Sequence, residues 1–124
     1  MPTIFVSRNG NSKNLKLRNS EENKPGDDDL TTMVGPGAII TWSLDNNSGL
    51  TSLHGILKLN PNDPKYDPKS VKLLEMVINI DGNYTGIIVS PSPGKGKYEK
   101  YKIGFMIPGD LTIYWDDPKI EMNT

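Results

Sequence analysis

Apolar and polar residues alternate with a period of two along much of this chain. Leu15 and Leu17 interleave with Asn14, Lys16 and Arg18, and Ile40, Trp42 and Leu44 interleave with Thr41 and Ser43. Ile103, Phe105 and Ile107 share one face, and Leu111, Ile113 and Trp115 share another. Successive side chains of a strand point to opposite sides of its sheet, so this alternation predicts half-buried strands. Strands are expected near residues 2–7, 13–18, 30–34, 38–44, 50–59, 75–80, 84–90, 98–107, 111–115 and 118–122.

Turn chemistry separates these runs. Asn9-Gly10, Pro25-Gly26, Pro36-Gly37, Asp81-Gly82, Pro93-Gly94 and Pro108-Gly109 are turn dipeptides, each presetting φ or tolerating a positive one. With ten prolines and twelve glycines spread throughout, long helices have few places to form. The least interrupted stretch, Ser70 to Met76, has room for one short helical turn. Short strands with turns at this spacing predict an all-β fold, an antiparallel two-sheet sandwich of seven to nine strands. At 124 residues the chain is read as a single domain, 1–124, large enough to bury a core without staples.

Charge narrows the partners. Fourteen basic and fifteen acidic residues leave a net charge of −1, which gives no long-range pull on nucleic acid or anionic lipid. Only Arg8 and Arg18 among the basic residues are arginines, so bidentate phosphate recognition has little to draw on. Neither nucleic acid nor membrane is expected as a partner. The start, Met1 to Ser7, has no basic leader and no long apolar run, and a cytoplasmic location is expected. The Lys, Asn and Ile bias is of the kind found in AT-rich bacterial genomes.

Candidate chemistry is sparse. His54 is the only histidine and there is no cysteine, so one chain lacks the ligands of a zinc or copper centre. Asp27-Asp28-Asp29 and Asp116-Asp117 could offer oxygens to Ca²⁺, but consecutive carboxylates diverge instead of converging on one ion. No nucleophile elbow is present, and Pro91 to Lys97 lacks phosphate-loop spacing and leads into β-type residues. No enzyme, cofactor or metal is expected. Trp42 and Trp115 fall in phase with aliphatic neighbours and are expected in the core. Tyr98, Tyr101 and Tyr114 are candidates for an exposed platform of the kind that stacks on sugars, and Tyr114, out of phase with Trp115, is the foremost candidate. Ile120, in a strand near the end of the sequence, is a candidate contact at an edge open to a second copy.

Two resemblances bear on the fold. Pro36-Gly37-Ala38-Ile39-Ile40-Thr41-Trp42, the loop Asp45 to Gly49 leading to His54, and Gly109-Asp110-Leu111-Thr112-Ile113-Tyr114-Trp115 resemble the framing segments of cupredoxins, Greek-key sandwiches. Trp115 stands where their copper thiolate would be, Pro118 where one class has a second His, and Met122 close to the Met position. The resemblance therefore implies a cupredoxin-like path without copper. Tyr101 to Ile107 followed by Tyr114 to Ile120 is similar to the closing segments of bacterial inclusion-body proteins of the PixA and AidA type, small sandwiches without known catalysis. Two functions are expected in turn: a structural, self-assembling protein that forms homo-oligomers, or a ligand-binding module for carbohydrate.

Overall fold

A computed structural model describes residues 2–21 and 31–124. It holds ten strands: β1 (Thr3–Arg8), β2 (Leu15–Asn19), β3 (Thr31–Val34), β4 (Ile39–Leu44), β5 (Ser52–Lys58), β6 (Leu74–Ile80), β7 (Asn83–Ile88), β8 (Tyr98–Met106), β9 (Tyr114–Asp116) and β10 (Lys119–Met122). One sheet has the order β2-β1-β4-β7-β6; the other has the order β3-β10-β8-β5, with β9 also paired to β8. The all-β, two-sheet sandwich is as expected and consistent with a Greek-key path. It has ten strands where seven to nine were expected. Both sheets are mixed instead of antiparallel, because β1 runs parallel to β4 and β3 runs parallel to β10. Asp27 to Asp29 and the Pro25-Gly26 turn lie outside the described residues.

The core lies between the sheets, where alternate positions of the strands meet. Ile4, Val6, Leu15, Leu17, Ile40, Trp42 and Ile88 come from the first sheet, and Val34, Leu53, Ile56, Tyr101, Ile103, Phe105, Ile120 and Met122 from the second. Trp42 takes the inward place its phase assigned and stands edge-on to Tyr101, with ring centroids 5.5 Å apart. Its Nε1 donates to the Tyr101 hydroxyl at 3.0 Å, so the two largest buried side chains satisfy each other's polar atoms across the sandwich.

Two local expectations are corrected. Ser70 to Met76 forms no helical turn. The Val71 amide donates to the Tyr98 carbonyl, the Leu73 carbonyl accepts from Val89, and the Leu73 and Leu74 amides donate to Glu99 Oε1. Partners on β8 and just beyond β7 have thus taken the groups that a helix would have paired internally. The strand expected at 111–115 is shifted to Tyr114–Asp116. Asp110 Oδ1 accepts from the Thr112 amide, and this side-chain turn holds the backbone out of the sheet for longer than Pro108-Gly109 alone would.

That shift reverses the assigned faces of Tyr114 and Trp115. In the β8–β9 register Phe105 lies opposite Tyr114, Gly104 opposite Trp115 and Ile103 opposite Asp116. Phe105 and Ile103 point into the core, so their partners Tyr114 and Asp116 point the same way. Trp115 lies outside, with 39 % of its surface exposed. Its ring covers Gly104, where an added Cβ would come within 2.9 Å of it. Asp116, buried beneath, accepts from the Leu15 amide at 2.9 Å through Oδ2 and so ties β9 to β2.

Candidate interaction surface

The four residues expected to make outside contacts do not assemble into a surface. Tyr101 is fully buried, bonded to Trp42. Tyr114 packs on Phe105 with centroids 6.1 Å apart and donates its hydroxyl to Asp110 Oδ2 at 2.6 Å. Tyr98 is half-buried, donates to Asp67 Oδ2 at 2.6 Å, and carries Lys119 5.0 Å from its ring centroid. That hydrogen bond holds Asp67 below the usual carboxylate range and pushes Tyr98 up. Ile120 is fully buried, and its strand is no edge: β10 sits between β3 and β8. The expected tyrosine platform and the expected terminal edge are both corrected. A parallel partner from far upstream in the chain, β3, takes up the free side of β10.

A row of exposed apolar side chains lies instead on the outside of the first sheet, separate from Leu57, Leu111, Ile113 and Trp115 on and beside the second. Ile39, Ile87 and Met76 stand side by side across β4, β7 and β6, and Ile78 and Ile80 continue along β6. These five side chains are between 37 and 52 % exposed. The hairpin that presents them is fixed by its turn. Asp81 and Gly82 both have positive φ, 52° and 87°, which makes a two-residue turn of the mirror-image type that matches strand twist. Asn79 Oδ1 accepts from the Gly82 amide at 2.9 Å and locks it. The inward phase is set by Gly86, opposite Val77: a Cβ there would lie 3.0 Å from the Trp42 ring. Thr85 and Ile87 must then face out, and with them Ile78 and Met76.

β6 is also an edge, and it differs from the other four strands of the described sandwich that are paired on one side only, β2, β3, β5 and the three-residue β9. β2 carries Lys16 and Arg18, β3 is four residues long, and β5 carries Lys58 and a register shift between Leu53 and Gly55. Charge, brevity and bulges are the usual protections of an unpaired strand. β6 is seven residues long, and its one charge, Glu75, falls at the register shift between Leu74 and Met76. From Met76 to Ile80 nothing of the kind intervenes. In a two-residue hairpin the closing pair, Ile80 with Asn83, exchanges hydrogen bonds, so Ile78 and Met76 bond to β7 and the backbone groups of Val77 and Asn79 point outward.

Two concave sites hold the remaining chemistry. A cleft of about 380 Å³ between β5, β8 and the entry to β6 is lined by Ile56, Leu59, Val71, Val77 and Glu99. Glu99 is 5 % exposed, and burial pushes its pKa up although the Leu74 and Leu73 amides oppose that rise. Both bonds fall on Oε1, at 2.9 and 2.8 Å, so this carboxylate fastens β8 to the strand entering β6. A depression beside Trp115 contains Asn14, Asp63, Lys102 and Asp117. Lys102 Nζ is 3.1 Å from Asp63 and 4.8 Å from the Trp115 centroid, so the indole already carries a cation. His54 Nε2 bonds Ser52 Oγ at 2.8 Å on the exposed side of β5, and among the described residues no three His, Cys, Asp or Glu side chains gather as metal ligands would. No helix is long and apolar enough to cross a membrane among the described residues.

The β6 surface carried a signal in the sequence that periodicity alone leaves ambiguous. Met76, Ile78 and Ile80 are in phase, but Val77 between them is apolar too, and either phase could have been the buried one. No protein-family model matches this chain, and no curated protein matches it.

Proposed function

We propose that this protein is a non-catalytic, self-assembling β-sandwich that works through the outer face and free edge of β6. The observation that carries the reading is the row Met76, Ile78 and Ile80, about half exposed, on the one long edge without a lysine, proline or central bulge. A net charge of −1 means that copies repel one another weakly. Kinship with the cytoplasmic bacterial inclusion-body proteins of the PixA and AidA type, and with a cupredoxin-like path that has lost its copper ligands, belongs to the same reading. The segments that carry those resemblances lie on and beside β4, β5, β8, β9 and β10.

A carbohydrate-binding reading rests on one observation, the exposed Trp115 indole beside Asp63, Lys102 and Asp117. Aromatic faces next to such polar groups suit sugar rings, but here Lys102 would have to move aside. Sedimentation velocity across a wide concentration range separates the two readings. Wild-type chain should gain mass with concentration, and Ile78→Lys, on an exposed face where folding does not depend on it, should remain monomeric with an unchanged circular dichroism spectrum. A wild-type chain that stays monomeric at millimolar concentration and binds a glycan array saturably, with loss on Trp115→Ala, would replace self-assembly with the carbohydrate reading.

A further inference from the structure

We infer that the partner of β6 is the β6 strand of a second copy, paired antiparallel about a two-fold axis through Val77, so that two five-stranded sheets become one sheet of ten. The inference rests on the self-assembly reading and adds the occupant and the register. The outward backbone groups of Val77 and Asn79 offer a ladder, and a second β6 set antiparallel offers the same groups in return.

Register follows from overlap and charge. Opposed residues of an antiparallel pair share a face, so the axis must pass through a residue, and the choices are Met76, Val77 and Ile78. Val77 is the midpoint of Leu74–Ile80, and only there does the whole strand overlap its copy. In that register Met76 faces Ile78 of the second copy, Glu75 faces Asn79, and Asp81 falls opposite Leu73, next to Lys72. Moving the axis to Ile78 places Glu75 opposite Asp81, two carboxylates that repel. Moving it to Met76 demands pairing at Leu73, whose amide is already bonded to Glu99 Oε1 at 2.9 Å. Overlap, charge and hydrogen-bond availability therefore agree on Val77. At the seam, Met76 and Ile78 of each copy cover those of the other, continuing the apolar row that begins at Ile39 and Ile87.

The chain has no cysteine, so introduced thiols report the register without interference. Met76→Cys and Ile78→Cys are prepared separately, then oxidised alone and as an equimolar mixture of the two full-length proteins. With the axis at Val77, the thiol of the Met76→Cys copy lies opposite the thiol of the Ile78→Cys copy in a non-hydrogen-bonded pair. Their Cα atoms are then about 4.5 Å apart, within disulfide reach. Like thiols lie on the diagonal, about 7–8 Å apart and beyond that reach. A covalent dimer in the mixture, with little in either variant alone, is the expected result. A dimer from Ile78→Cys alone overturns the Val77 axis. No cross-link in any sample while the reduced proteins still associate overturns this interface and leaves self-assembly to another surface. Wild-type chain that is monomeric throughout removes both proposals.

Discussion

The Trp42 indole is fully buried, and its N–H has the Tyr101 hydroxyl as partner at 3.0 Å. Removing that oxygen leaves a buried donor unsatisfied, so Tyr101→Phe should cost about 1–3 kcal/mol although it deletes no carbon. Trp42→Ala, which also opens a cavity, should cost about 3–5 kcal/mol. Urea unfolding measures both, and a Tyr101→Phe variant as stable as wild type would show that the N–H finds another acceptor. Trp115 is governed by a different neighbour. Gly104 gives the ring a floor, and an alanine Cβ there would meet it at 2.9 Å. Gly104→Ala should therefore destabilise the wild type by about 1–3 kcal/mol, through crowding. In a Trp115→Ala background the same change should be neutral or stabilising, because glycine inside a strand is entropically costly. Equal costs in both backgrounds would mean that the indole does not set the requirement for glycine. Period-two phase placed Trp42 correctly because its strand runs unbroken from Ile39 to Leu44. It misplaced Trp115 and Tyr114 because the Asp110 side-chain turn excludes Leu111, Thr112 and Ile113 from the strand whose phase they were used to set.

Among elements, those made by neighbouring stretches of chain were legible, and those made by distant ones were not. The β6–β7 hairpin could be read from Asp81-Gly82, a turn signal whose positive φ values fix the register locally. The parallel pairings of β1 with β4 and of β3 with β10 have no local signal, since nothing between the paired strands specifies their registers. That is why β10 was expected to be an open edge and is instead enclosed. The enclosure changes what a proline would do there. Ile120 is paired with Thr32 on one side and Glu99 on the other, and its side chain is in the core. Ile120→Pro should abolish the folded circular dichroism signal instead of merely weakening assembly, because proline within an interior strand removes a ladder donor that is in use. A folded, cooperative Ile120→Pro protein would require β10 to be dispensable. Ile78→Lys should be tolerated where Ile120→Pro is not, because β10 has partners on both sides and β6, among the described residues, has one side free.

At the scale of the whole molecule, side-chain bonds at several places join parts that the backbone ladders leave separate: Trp42 to Tyr101, Asp116 to Leu15, and Glu99 to Leu73 and Leu74. Of these, Glu99 makes stability depend on pH in an unusual direction, a sign it shares with Asp117, which burial also pushes up. Burial pushes the Glu99 pKa up, with the amides of Leu74 and Leu73 and the charges of Lys58 and Lys72 opposing. A group that binds its proton more tightly when folded contributes stability that is complete below its unfolded pKa and is lost as pH rises through the raised value. Asp45, Asp63, Asp67 and Asp110 act with the opposite sign. Each is held below the usual range, chiefly by Arg18, the Asn60 amide, Tyr98 and Tyr114 respectively, so their contribution is lost as pH falls through the lowered values. Glu99→Gln keeps a carbonyl oxygen for the two amides and has no charge to bury. Near about pH 4, where wild-type Glu99 is protonated, the two proteins should unfold at similar temperatures. Toward about pH 7 the variant should become the more stable, and the gap should open across the interval between the ordinary and the raised pKa of Glu99. Thermal unfolding of both proteins at the two pH values is sufficient. A gap that does not change with pH, or that favours wild type at the higher value, would mean that Lys58, Lys72 and the two amides stabilise the carboxylate more than burial penalises it.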